Sequence, residues 1–247
     1  MRPLKLRWLA GLVVSLLALA ALLAGGNSAP GAAAEQDPLR GKSICLDPGH
    51  GGTEPGAVNA EFGLLEKNIN LDVATHLGGL LEGSGATVFM TRDGDQTRSI
   101  RQRYEFCNGT EANILVSVHT NSVSDQTIDG TLAIYFHRDD KVLATALHDV
   151  MYARLRNADW DFIDFGVRRD ALGVVLKSDM PAAVAEPVFM SHPGEADLLT
   201  TPSPDCDNCQ RAQIAQSLHD GIVSYFQNAS EEPAGPGGGN GNGKKPR

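Results

Sequence analysis

Residues 114–118, inside the stretch NILVSVHTNS, carry four aliphatic side chains in five positions, and the polar pair His119-Thr120 closes the run. The segment is too short for a stable helix and shows no polar alternation, which predicts a strand buried on both faces. A strand with no wet face needs cover above and below, so the chain is confined to layered α/β architectures. The rest of the sequence agrees. Residues 42–46, 86–91 and 131–137 read as further strands, and 181–190 contain one more. Residues 66–82 place Ile69, Val73, Leu77, Leu80 and Leu81 on one helical face, and Gly83-Ser84-Gly85 stops them. Residues 99–107, 141–155 and 210–226 are also predicted helical. The expected fold class is α/β, a single domain with a mostly parallel central sheet flanked by helices on both faces.

The two ends are unlike this body. Arg2, Lys5 and Arg7 precede an apolar run at 8–24, followed by the small residues Ala32-Ala33-Ala34. That order predicts an export signal over 1–34, with an uncleaved anchor as the rival reading. A short linker (35–41) then leads into a folded domain at 42–228. Residues 229–247, ending in PAGPGGGNGNGKKPR, are too rich in glycine and proline to bury anything and read as a disordered tail. The expected location is therefore outside the cytoplasm, secreted or in the cell envelope, with no stable membrane partner once the signal is cleaved.

Charge narrows the partners. The whole chain carries −9, and setting aside the basic residues at both ends and the two tail glutamates leaves residues 8–230 at about −13. Such a body repels nucleic acid. Four cysteines (45, 107, 206 and 209) point to disulfides outside the cytoplasm, with three pairings open. Cys45, inside an apolar strand, also reads as a buried free thiol. CDNC at 206–209 lacks the second close pair that a four-cysteine zinc site needs.

Open α/β sheets hold their sites past the carboxyl ends of the strands. His50 follows the first strand in ICLDPGHGG, His119 ends the NILVSV strand, and Glu186 lies in PAAVAEPVF near a late strand's end. Glu66 opens the first long helix. Two imidazoles and a carboxylate form a catalytic zinc set that leaves one coordination position for water. A further carboxylate that does not bind the metal can serve as general base. The glycines around His50 let the backbone turn sharply and leave room for a metal and a large substrate. Asp47 reads either as a turn residue or as a group that orients a ligand, and Asn121 as a turn residue or a substrate contact.

Taken in order, LDPGHGG, LLEKNINLDVATHLGGLL, VFMTRDGD, SVHTNS, GTLAIYF and PAAVAEPVF resemble the zinc-dependent N-acetylmuramoyl-L-alanine amidases, amidase type 3, over residues 43–199. The resemblance implies that His50, Glu66 and His119 hold Zn2+ and that Glu186 is the catalytic carboxylate. It implies a peptidoglycan substrate, cut at the amide between N-acetylmuramic acid and L-alanine. The chain is expected to be a monomer. Arg103 and Asn108 match a pattern read as structural. Some similar proteins carry a helix that plugs the cleft until a partner removes it, which makes a protein activator one expectation. Residues 157–170 (NADWDFIDFGVRRD) accordingly read either as a lid or groove wall, or as core beside a helix. One departure stands out: Pro187 follows Glu186 where the family usually has a small or apolar residue. The alternative readings are an inactive peptidoglycan-binding regulator on the same fold, and a zinc peptidase cutting within the stem peptide.

Overall fold

The computed structural model describes residues 37–156, 159–203 and 209–231. The expected signal segment, Cys206 and the chain beyond Glu231 lie outside them. Strand β1 (Ser43–Pro48) lies between β4 (Thr87–Met90) and β5 (Ile114–Val118). Next to β5 come β8 (Ala182–Glu186), β6 (Asp129–Tyr135) and the edge strand β7 (Phe162–Arg169), so the sheet order is β4-β1-β5-β8-β6-β7. The first four strands run parallel, β6 meets β8 antiparallel, and β7 runs parallel to β6. A two-stranded ribbon, β2 (Val58–Asn59) with β3 (Leu64–Leu65), joins β1 to the first helix. The mostly parallel sheet expected from the sequence is thus present, with one antiparallel junction.

Because side chains alternate across a strand, β1 feeds two cores. Ile44 and Leu46 join Ile69, Leu77, Val116, Leu147 and Ile222 beneath α1 (Glu66–Gly83), α3 (Asp140–Leu155) and α6 (Gln210–Glu231). Cys45 joins Leu115, Leu132, Val175 and Val184 beneath α2 (Ile100–Asn108) and α4 (Gly173–Leu176). Leu39, in the expected linker, is fully buried in the first core. The closing helix runs past Phe226 to Glu231. Residues 162–169 form a strand rather than a lid: Phe162 leans on the first core and Phe165 on the second. A continuous helical or alternating pattern is missing there because an edge strand is wetted on both faces in parts.

Cys45 is bonded to Cys107 (S–S 2.05 Å), which overturns the free-thiol reading. One helical turn earlier Arg103 reaches Asp47, two residues along β1 (Nη1 to Oδ1 2.8 Å). The i, i+4 rise of a helix and the i, i+2 rise of a strand are both close to 6 Å. Two rungs therefore tie α2 flat against β1. Ser99 starts that helix with a capping box, accepting from Gln102 N (3.2 Å) while Gln102 Oε1 accepts from Ser99 N (2.9 Å).

Past Glu186 the chain turns into α5 (Pro193–Leu198), capped by His192, whose Nδ1 accepts from Glu195 N at 3.3 Å. Glu195 is fully buried. Gln210 Nε2 donates to its Oε1 (2.6 Å), and burial first, then the neighbouring Asp129, push its carboxyl well above the usual range. The folded state therefore holds a proton that the unfolded chain releases above its ordinary value of 4.5. Stability from this group is full below that value and is lost as pH rises toward the folded-state value. Glu195→Gln keeps the shape and removes the titration. We expect it to raise the melting temperature at pH 8 by about 3 °C, with no gain at pH 4. Equal melting shifts at both pH values would refute the buried acid pair.

Candidate metal centre and catalytic carboxylate

The loop after β1 is shaped by backbone conformations that glycine permits. His50 itself has φ 60, the left-handed region, where a non-glycine residue is strained by about 1–2 kcal/mol. Buried arginines hold it there. Arg103 Nη2 donates to His50 O (2.6 Å) and Nη1 to Pro48 O (2.7 Å). Arg92, fully buried, donates to the carbonyls of Pro48 (2.9 Å), Gly49 (2.8 Å), Lys67 (2.8 Å) and Gly94 (3.0 Å). Burial and then the charge of Arg103 push its guanidinium down to about 10, so it stays charged near neutrality. Asp47 balances this pair, accepting from Arg103, Thr91 Oγ1 (2.6 Å) and Ser117 Oγ (2.7 Å). Asp47 acts on the turn through Arg103, which bonds both its carboxylate and the carbonyls of Pro48 and His50.

This brings His50, Glu66 and His119 together. Each offers one ligand atom, and these atoms lie within 4.8 Å of one another. It is the one such group of three among the described residues. Glu66 enters as the first residue of α1. Its Oε1 accepts from His119 Nδ1 (2.9 Å), Asn70 Nδ2 (3.1 Å) and Thr120 N (3.3 Å), and its Oε2 from Ala57 N (2.9 Å) with His50 Nε2 at 3.2 Å. Burial alone would raise the Glu66 carboxyl, but the bonds to His119 and His50 hold it well below the usual carboxylate range. Two glycines clear the space. A Cβ on Gly49 would meet the His119 ring at 2.3 Å. One on Gly56 would meet Glu66 Oε2 at 2.5 Å and the His50 ring at 2.7 Å. The donor set, one ionised carboxylate and two imidazoles in a volume kept free of side chains, fits a zinc ion.

Glu186 is the last residue of β8, beside the end of β5, where His119 N donates to Ala185 O (3.0 Å). Its Oε2 is buried without a hydrogen-bond partner. Burial, opposed by His119 and reinforced by Glu66, raises its carboxyl to about 7. Pro187 follows the strand's last residue and does not interrupt it. Asn121 continues the strand pairing through its backbone (N to Val188 O 2.9 Å) and turns its side chain onto Ser122 N. Asn108 bonds Lys177 O and Asp179 N, a structural role.

The four residues singled out in the sequence thus share one strand-end site. Arg92, Asn70 and Gly56 escaped that reading. Arg92 was legible by the same rule, as a polar residue just past an apolar strand. The other two act only through contacts.

A layered α/β sheet with two imidazoles and a carboxylate gathered past its strand ends, and a half-buried carboxylate beside them, offers a group that could hold a metal ion next to a proton acceptor, the equipment of one class of hydrolases. A family model described as N-acetylmuramoyl-L-alanine amidase (Amidase_3) matches residues 44–228, and the chain belongs to that family. It is 31% identical over 212 residues to the germination-specific N-acetylmuramoyl-L-alanine amidase of Bacillus subtilis (strain 168), covering 79% of this chain and 84% of that one. It is similar to the catalytic domain of CwlV, an N-acetylmuramoyl-L-alanine amidase from Bacillus (Paenibacillus) polymyxa var. colistinus. That match has TM-score 0.67 and 27% identity, and covers 75% of this chain and 98% of that one. It is also similar to the CwlD amidase of Clostridioides difficile, solved in complex with the GerS lipoprotein. Here the TM-score is 0.63 and the identity 28%, with 76% and 99% covered.

Proposed function

We propose that this chain is an exported zinc hydrolase that cleaves the amide between N-acetylmuramic acid and L-alanine in peptidoglycan. The observation that carries the reading is half-buried Glu186, whose Oε2 is buried without a partner, beside the His50–Glu66–His119 donor set. His50, Glu66 and His119 would hold the zinc, which when bound supplies Lewis acidity and lowers the pKa of water. Glu186 takes a proton from the attacking water as its oxygen bonds to the lactyl carbonyl carbon. It returns that proton to the nitrogen of L-alanine as the C–N bond breaks. Burial suits both halves, since the raised carboxyl holds a proton more readily than a solvated one. Export is supported by the signal-like residues 1–34 and by the Cys45–Cys107 disulfide, a bond that persists in oxidising compartments. The complex of CwlD with a lipoprotein supports keeping a protein activator in the reading.

The test is digestion of purified peptidoglycan by metal-loaded and chelated protein, with products identified by mass spectrometry. Stem peptides with a free L-alanine amino terminus, released only by the loaded protein, are expected. Cuts within the stem would replace the substrate bond, and binding without release would favour the regulator.

Asn70 is expected to tune the metal. Fully buried, it donates to Glu66 Oε1 and accepts from Thr120 Oγ1 (3.0 Å), so it fixes the direction of the ligand carboxylate. Asn70→Ala should weaken zinc binding 10–100-fold, read by competition with a chelating dye. An unchanged zinc affinity would make Asn70 a packing residue only.

A further inference from the structure

The face of the sheet that carries Glu186 continues outward to an exposed arginine. In the β6–β8 ladder Leu132 lies opposite Glu186 and Ile134 opposite Val184. In the β6–β7 ladder Ile134 lies opposite Arg168, and the register shifts between Thr131 and Ala133. That shift sets the extra residue of a bulge, Phe165-Gly166, opposite Leu132, with Gly166 at φ 68. Glu186, Leu132 and the bulge therefore lie in one row, two strand spacings wide, or about 10 Å. Residues opposite one another in a ladder share a face. Leu132, Ile134 and Val184 belong to one core, against which Phe165 packs, so Glu186 and Arg168 lie on the same side as Phe165.

Side chains connect the row. Phe189, three residues past Glu186, has its ring centroid 5.3 Å from that of Phe165. The Arg168 guanidinium lies 5.3 Å from the Phe165 centroid. Its side chain makes no hydrogen bond or ion pair among the described residues, unlike Arg101, Arg103, Arg154 and Arg211, which face carboxylates. An exposed guanidinium that is held by an aromatic face and lacks an acidic partner, on a body this rich in acid, is pre-oriented for a carboxylate from outside.

We propose that Arg168, stacked on Phe165, is the specificity-determining residue that binds the carboxylate of the stem peptide beyond L-alanine. This rests on the amidase reading of the same site. An extended chain advances about 3.5 Å per residue. The α-carboxylate of the second stem residue thus lies about 7 Å from the scissile amide. Arg168 is rooted one pleat repeat beyond the Glu186 row, opposite Ile134, and its side chain reaches back over Phe165, which brings the guanidinium to that row.

Two synthetic muramoyl-L-alanyl substrates serve as probes. The second residue is D-glutamate with a free α-carboxylate in one and D-isoglutamine in the other. Wild-type protein should favour the carboxylate substrate roughly tenfold in kcat/KM, through KM. Arg168→Gln should erase the preference by raising KM for the carboxylate substrate alone, and Arg168→Lys should restore part of it. Equal losses on both substrates, or no preference in the wild type, overturn the proposal. Binding of both probes to the Glu186→Gln protein, measured by calorimetry, separates this inference from its parent. Carboxylate-dependent binding that vanishes with Arg168→Gln, in a protein whose wild type cuts neither probe, upholds the subsite and sinks the amidase reading.

Discussion

Glu186→Gln should lower amide hydrolysis about 10³-fold while leaving the fold and the metal content intact. The substitution keeps the volume and one acceptor oxygen, and removes only the ability to take a proton. Three features make the effect large. The carboxylate oxygen has no other partner to satisfy, so its one available task is toward whatever enters the site. It stands at the end of a central strand, where the ladders to β5 and β6 fix its backbone beside the donor set. And it is outside the His50–Glu66–His119 group, so its loss leaves the metal donors in place. Turnover of a muramoyl-L-alanyl peptide, zinc per chain by elemental analysis and a thermal melt should be measured on one preparation. Activity within tenfold of the parent, with zinc retained, would remove Glu186 from the mechanism. A protein that loses its zinc as well would show that Glu186 supports the metal.

Loss of the Cys45–Cys107 bridge should be the most damaging change to stability. The bond closes a loop of 62 residues, and the chain-entropy relation gives about 4 kcal/mol for a closure of that length. Both sulfurs are fully buried, so Cys45→Ala with Cys107→Ala also costs side-chain packing in the second core. Together these predict a melting temperature about 10 °C lower. The damage should reach the site, because Cys107 and Arg103 are consecutive rungs of one helix face, and Arg103 clamps the His50 carbonyl in its strained conformation. Urea unfolding of the double variant, with and without bound zinc, tests this. A loss below about 1 kcal/mol would mean that packing and the Arg103–Asp47 rung hold α2 without the bond. A stability loss with unchanged zinc affinity would uncouple the staple from the metal centre.

The legibility of the site has a physical basis. His119 follows an apolar strand directly, Glu186 interrupts an apolar stretch, and His50 follows the first strand across the turn Asp47-Pro48-Gly49, so each marks the end of a strand with a polar side chain. Glu66 was legible as the start of a strongly periodic helix. Ladder partners, by contrast, are contacts between distant segments. The edge strand β7 with its bulge comes from a stretch whose residues are half-buried or exposed, so no clean period marks it. Strand β6 is buried and legible, but its antiparallel entry against β8 is a pairing that no local pattern encodes. Arg92 shows the limit from the other side. Its position past β4 was visible, but four carbonyl acceptors from three different segments were not.

By itself the sequence determined a layered α/β sheet, since short apolar strands alternating with amphipathic helices can bury themselves in few other ways. It also determined which polar residues lie at the strand ends. Tertiary structure alone decided that Cys45 pairs with Cys107, that two buried arginines hold His50 in the left-handed region, and that Arg168, one pleat repeat beyond the row of Glu186, shares its face and stacks on Phe165. Burial and periodicity are local properties, written residue by residue, whereas pairing depends on which distant surfaces meet when the two cores close.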